Sequence, residues 1–195
     1  MQQPRKEHWN AALRVVWYLK GSLGQGILLS SSSDFLLTGW CDSDWASCPL
    51  TRRSLSGWLV FLGGSPISWK TKKQQTVYRS SNEAEYRSMA AITAELKWLK
   101  GLLLTLGVTH TTAMTLYCDS QSAIHIAQNP VFHERTKHIE VDYHYVREAL
   151  QQGLLTARHV STHDQLVDIF TKALGKQRFL TLLRKLGVCN PHAPT

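Results

Sequence analysis

FLLTGWCDSDWA, Phe35 to Ala46, decides how this chain is read. Phe35 to Cys41 mixes aromatic, aliphatic and β-branched residues, and Ser31-Ser32-Ser33-Asp34 ahead of it is a turn signal, so a strand is expected there. The strand runs into Asp42 and Asp44. With side chains alternating between faces, Asp42 shares a face with Leu36, Thr38 and Trp40. A carboxylate on the apolar face of a central strand is costly unless something neutralises it, and a bound divalent cation is the usual answer. The plainer reading simply begins a loop at Asp42 and Asp44, because Asp is common in turns.

Upstream, Arg5 to Lys20 reads as an amphipathic helix, with Trp9, Ala12, Leu13, Val16 and Leu19 on one stripe and Gly21 ending it. Gly24-Gln25-Gly26 and the serine run then form a linker or hairpin. Downstream, Ser56 to Leu62 is a second strand, Gly63-Gly64-Ser65-Pro66 a turn, and Ile67 to Lys70 a third strand leading into the basic loop KTKKQQ. Short connections make these three an antiparallel meander.

A long helix follows, about Asn82 to Leu106, with Met89, Ile92, Leu96, Leu99, Leu103 and Leu106 on one face. Extending that stripe back by one turn lands on Glu85, which therefore faces inward. The alternative is a capping box, either Asn82 with Glu85 or Ser80 with Glu83. Met114 to Cys118 is a fourth strand ending at Asp119, before a helix from Ser120 to Gln128; Asp119 is either a site residue or an N-cap. Lys137 to Gln151 is helical, and its His138 and Asp142 lack a third ligand. Leu154 to Val160 is a fifth strand. Thr162-His163-Asp164 then caps a helix bearing Leu166, Ile169, Phe170 and Ala173, on which Asp168 reads as an exposed ion pair with Lys172. Arg178 to Leu186 is a last amphipathic helix.

The chain has 195 residues, enough for one domain and a flank. It carries 22 Lys and Arg against 14 Asp and Glu, a formal charge of +8, which suits a polyanionic partner such as nucleic acid. Arg52 to Lys100 alone holds nine basic and three acidic residues. Four cysteines without CxxC spacing indicate neither a zinc site nor a disulfide framework, and a reducing compartment is expected. The polar start is no signal peptide, and no apolar run approaches the ~20 residues of a membrane span.

Helical connections favour parallel neighbours for the last two strands. The expected fold is therefore α/β, with a mixed sheet of five strands. Sites on such sheets form beyond the carboxyl ends of strands, where Asp42 and Asp119 would meet if their strands are adjacent. Carboxylates gathered there repel unless cations sit among them. Oxygen ligands suit Mg²⁺ or Mn²⁺, and two such ions about 4 Å apart can drive phosphodiester cleavage. An acidic metal site on a basic protein points to a metal-dependent nuclease.

SDWASCPLTRRSLSGWLVFLGGSPISWKTKKQQTV, RSSNEAEYRSMA, LYCDSQSAI, KHIEVDYHYVRE and HVSTHDQLVDIFTKAL together resemble the ribonuclease H domain of copia-type retrotransposon Pol polyproteins. The resemblance spans nearly the whole chain in order. It implies a ribonuclease H-like fold and endonucleolytic removal of the RNA strand from RNA–DNA hybrids during reverse transcription. By motif, it assigns Asp42, Glu85, Asp119 and Asp168 as catalytic and metal-binding acids, holding two Mg²⁺ with Mn²⁺ as substitute. Many ribonucleases H carry a mobile histidine before the last acid; His159 and His163 are the candidates here, and that role is left open.

KEHWNAALRVVWYLKGSLGQGI resembles the end of a preceding reverse transcriptase region. That divides the chain into residues 1–30, a ribonuclease H-like domain over 31–188 and a tail over 189–195. The reverse transcriptase region and the hybrid are the implied partners, with no membrane role, no defined oligomeric state, and an intracellular setting in the cytoplasm (a virus-like particle) or nucleus. Arg52, Arg53, Lys70, Lys72, Lys73 and Arg79 are candidates for phosphate binding, while Trp45, Trp58 and Trp69 are read as core packing in preference to stacking on sugars or bases. Two other readings compete: a catalytically idle nucleic-acid-binding domain, and a DNA nuclease on the same fold.

Overall fold

The structure is a computed structural model that describes residues 3–129 and 140–190. In chain order the elements are α1 (Lys6–Gly21), β1 (Gly26–Ile27), β2 (Leu37–Asp44), β3 (Leu55–Leu62), β4 (Ser65–Lys73), α2 (Ser81–Thr105), β5 (Met114–Cys118) and α3 (Gln121–Gln128). They continue with α4 (Glu140–Gln151), β6 (Leu155–His159), α5 (Asp168–Thr171), α6 (Lys176–Lys185) and β7 (Val188–Cys189). Five strands form one sheet in the order β4-β3-β2-β5-β6. β2 runs antiparallel to β3 and β3 to β4, whereas β2–β5 and β5–β6 are parallel. This is the expected mixed sheet, a meander plus two parallel strands.

β2 lies in the middle of the sheet and extends two residues beyond Asp42, so that aspartate sits inside the strand rather than in a following loop. The strand starts at Leu37, later than Phe35, because Phe35 adopts φ 54° and Leu36 gives its carbonyl to the Gly63 amide that ends the meander turn. Alternation then separates the two faces. Leu37 and Cys41 join Trp58 and Val60 of β3 against Tyr86, Met89, Ile92 and Leu96 of α2. On the other face Trp40 of β2 joins Leu59 and Phe61 of β3 against Leu166, Val167 and Leu182. Burying these side chains on both faces is the main driving force of the fold.

Two glycines let the flanking helices approach. A Cβ on Gly39 would stand 2.7 Å from the Ile92 Cδ1 of α2. A Cβ on Gly57 would stand 2.8 Å from both Thr171 Cγ2 and Val167 Cγ1. Each layer is thus seated where a strand offers no side chain.

Several expectations change. Leu106 falls off the α2 stripe: the helix ends at Thr105, and Leu106 becomes its 69 % exposed C-cap. The helix foreseen after Thr162 is only the four residues of α5, because Ser161 to Asp164 closes on itself through Ser161–Asp164 hydrogen bonds. Trp58 is buried, but Trp45 and Trp69 are 45 % and 50 % exposed, so neither is a core residue. β1 pairs antiparallel with β7, joining the early linker to the chain's last strand. His138 lies outside the described residues. Asp142 is held by the Arg87 guanidinium, at 2.6 Å to Oδ2. No helix among the described residues is long and apolar enough to cross a membrane.

Candidate active site

Capping chemistry frees the acids. At the start of α2 the Ser80 hydroxyl accepts the Glu83 amide at 3.3 Å, and Glu83 turns back to the Arg79 amide at 3.0 Å. At the start of α3 the Ser120 hydroxyl accepts the Ala123 amide at 3.2 Å. Neither Glu85 nor Asp119 is needed as a cap, so both side chains are available to the site.

Glu85, one turn into α2, is 7 % exposed and faces the sheet. Its Oε1 accepts the Ser43 amide of β2 at 3.2 Å, and its Oε2 lies 4.0 Å from Cys118 Sγ at the end of β5. Asp119 follows β5 directly, because β2 and β5 are parallel neighbours with their carboxyl ends together. Ligand atoms of Glu85, Cys118 and Asp119 all lie within 4.8 Å of one another. Asp119 also accepts the Thr162 hydroxyl at 3.3 Å.

Asp42 lies on the α5 side of β2 and is 1 % exposed. One of its oxygens accepts the Thr171 hydroxyl, and the other accepts Lys172 Nζ at 3.1 Å. Asp168, 3 % exposed, accepts the same Nζ at 2.7 Å and Arg178 at 3.1 Å. The exposed ion pair expected for Asp168 and Lys172 is therefore a partly buried one shared with Asp42 and Arg178, because α5 lies across Gly57 rather than in solvent. Thr171 and Arg178 carried no signal in the sequence, and Lys172 signalled only its i, i+4 pairing with Asp168; the folded chain brings all three onto Asp42 and Asp168.

Electrostatics link the two halves. Burial raises the Glu85 carboxyl well above its ordinary range, and Cys118, Asp42 and Asp119 push it further against the Ser43 hydrogen bond. Burial also raises Asp42, opposed by Thr171 and Lys172 and reinforced by Asp119. Among the described residues no Lys or Arg pairs with Glu85 or Asp119. Carboxylate oxygens are the hard donors that Mg²⁺ and Mn²⁺ take, so the set fits such an ion; the Cys118 sulfur is softer than either prefers.

The six basic candidates are all exposed. Lys70, Lys72 and Lys73 line a cleft of about 210 Å³ between β4 and α2, together with Trp58, Gln74 and Arg87. Lys70 Nζ lies 5.2 Å from the Trp58 ring centroid. Trp58 Nε1 and Gln74 Oε1 are buried there without a hydrogen-bond partner. Arg52, Arg53 and Arg79 lie outside that cleft's lining. His159 and His163 are exposed, the latter 3.4 Å from its neighbour Asp164.

The sheet order and helix placement are those of ribonuclease H folds. LC11-RNase H1, solved in complex with RNA/DNA hybrid, superposes with a TM-score of 0.53 at 11 % identity, over 69 % of this chain and 93 % of that one. No protein-family model matches the chain. Among curated proteins, the retrovirus-related Pol polyprotein from transposon RE2 of Arabidopsis thaliana is 46 % identical over 96 % of this chain and 13 % of its own length. That from transposon TNT 1-94 of Nicotiana tabacum is 38 % identical over 92 % of this chain and 13 % of its own length. The protein thus has a ribonuclease H-like fold. Its homologues at 38–46 % identity over most of the chain are Pol polyproteins of copia-type transposons, and it spans about 13 % of the length of these relatives.

Proposed function

We propose that this domain is a ribonuclease H: a metal-dependent endonuclease that hydrolyses the RNA strand of RNA–DNA hybrids during retrotransposon reverse transcription. The observation that carries the reading is the convergence of a buried glutamate and an aspartate, within 4.8 Å, beside a buried aspartate on the central strand. Such a gathering is unfavourable until a cation joins it. Asp42, Glu85, Asp119 and Asp168 are the residues that would hold two Mg²⁺, or Mn²⁺ in their place. When bound, such ions supply an activated water and stabilise the leaving oxygen. The chain's own part is positioning. Thr171 and Lys172 orient Asp42, the Ser43 amide fixes one oxygen of Glu85, and Thr162 steadies Asp119. Exposed Lys70, Lys72, Lys73, Arg52, Arg53 and Arg79 would meet phosphates, and contacts to 2′-hydroxyls would select the RNA strand.

Residues 1–30 are proposed as the end of a reverse transcriptase region, 31–188 as the nuclease domain and 189–195 as a tail. α1 supports this: none of its residues is buried, and Trp9, Val16 and Trp17 are more than half exposed. An apolar face of that kind suits contact with more of a longer polyprotein. The proposed setting is intracellular.

The test is a strand-labelled hybrid incubated with Mg²⁺. We expect cuts in the RNA strand only, and loss of cutting to background in Asp42→Asn. Hybrid binding without cutting at saturating Mg²⁺ or Mn²⁺ would instead mark an idle binding domain. Equal cutting of duplex DNA would mark a DNA nuclease.

A further inference from the structure

The acid pocket is balanced unevenly. In the Asp42–Asp168 half every carboxylate oxygen has a donor, and two cations supply three of those hydrogen bonds: Lys172 at 3.1 and 2.7 Å, and Arg178 at 3.1 Å. In the Glu85–Asp119 half the donors are one backbone amide, one hydroxyl and the distant Cys118 thiol. The two cations also differ. Arg178 is pinned as well by the Thr162 and His163 carbonyls, at 2.7 and 2.5 Å. Among the described residues Lys172 hydrogen-bonds only Asp42 and Asp168, and its side chain is 30 % exposed. A compact ammonium on a four-carbon stem can swing into solvent; a guanidinium held by two carbonyls cannot do so cheaply.

We infer that Lys172 is a built-in counter-cation: it holds Asp42 and Asp168 together before metal arrives and must be displaced when a divalent ion takes that half of the pocket. This rests on the metal reading proposed above. Lys172 then acts as a positioning residue: it leaves the Glu85–Asp119 half open to the first ion and makes the second, at Asp42 and Asp168, hard to bind.

The experiment is calorimetric titration of MnCl₂ alone into the full chain, with no nucleic acid, for wild type, Lys172→Met and Lys172→Arg. Removing the ammonium removes two charge-assisted hydrogen bonds that compete with the ion, so the weaker Mn²⁺ site of Lys172→Met should tighten about tenfold or more. Lys172→Arg keeps the charge, so its weaker Mn²⁺ site should be no tighter than wild type's. In EDTA, Lys172→Met should melt below wild type, and Mn²⁺ should raise its Tm further than it raises wild type's. A variant that folds only with Mn²⁺ present gives the same answer, because the ion replaces the missing charge. Coincident isotherms and equal Tm increments for wild type and Lys172→Met overturn the proposal alone. So does an Lys172→Arg isotherm that follows the methionine variant. Absence of Mn²⁺ binding to all three overturns the metal reading with it.

Discussion

Glu85 is a carboxylate whose natural protonation is at odds with its surroundings. Burial, Cys118, Asp42 and Asp119 all favour its neutral form in the folded chain, so its folded pKa lies above its unfolded one. The sign follows directly. Below the ordinary carboxylate range both states are protonated and Glu85 costs nothing; as pH rises toward the folded pKa, the unfolded state gains from ionising and stability falls. Glu85→Gln keeps the shape and the acceptor for the Ser43 amide while removing the charge. In EDTA we expect it to raise Tm by a few degrees at neutral pH and to leave Tm unchanged below about pH 4. Thermal melts at the two pH values check this; a gain of equal size at both would show that charge is not the cause. Asp42 carries a smaller penalty of the same kind, because Thr171 and Lys172 offset part of it.

Elements place these residues, and the shortest one matters most. α5 is four residues long, yet it carries Asp168 and Thr171 and is followed by Lys172. Its seat is Gly57, where β3 has no side chain. Gly57→Ala would drive a methyl into Thr171 and Val167 at 2.8 Å. Overpacking of this kind costs about 1–3 kcal/mol. Because the displaced groups include the donor to Asp42, Mn²⁺ binding should weaken along with stability. Urea unfolding and the Mn²⁺ titration measure the two effects; reduced stability with intact metal binding would mean that α5 can shift without disturbing Asp42. The helix starts teach a complementary lesson. RSSNEAE allows two capping boxes, and sequence alone could not choose between them. Ser80 with Glu83 forms, and that choice releases Glu85 into the pocket.

At the scale of the molecule, a formal charge of +8 accompanies an acidic centre. Lys70 and Lys72 share a sheet face through their pairing with Trp58 and Ser56, and they line the cleft beside α2. Two strand spacings separate β4 from β2, about 10 Å, a distance a nucleic-acid backbone spans with ease. In an Asp42→Asn background, in which the proposed nuclease should leave an RNA–DNA hybrid uncut, Lys70→Gln with Lys72→Gln should weaken binding of that hybrid. The slope of log K against log salt should become shallower by about 0.9 for each phosphate that the protein no longer neutralises. Fluorescence anisotropy over a salt series measures it. An unchanged slope would show that this cleft faces away from the substrate.

Much of this was legible in the residues themselves. Apolar, aromatic and β-branched runs placed β2, β3 and β5, a 3.6-residue stripe placed α2, and helical crossovers implied parallel pairing, because these patterns follow from local geometry and the need to bury apolar side chains. The placement of acids at a strand, a helix start and a strand end pointed to a gathering, and of these the structure brings Glu85 and Asp119 within 4.8 Å of each other, with Asp42 on the α5 side. Beyond that, sequence could not speak. Whether a serine or an acid caps a helix depends on small differences among local hydrogen bonds. Whether Lys172 faces water or two buried carboxylates depends on where a four-residue helix docks, and that is set by the gap at Gly57, far away along the chain. Local chemistry wrote the elements and their order; long-range packing alone decided which charges meet.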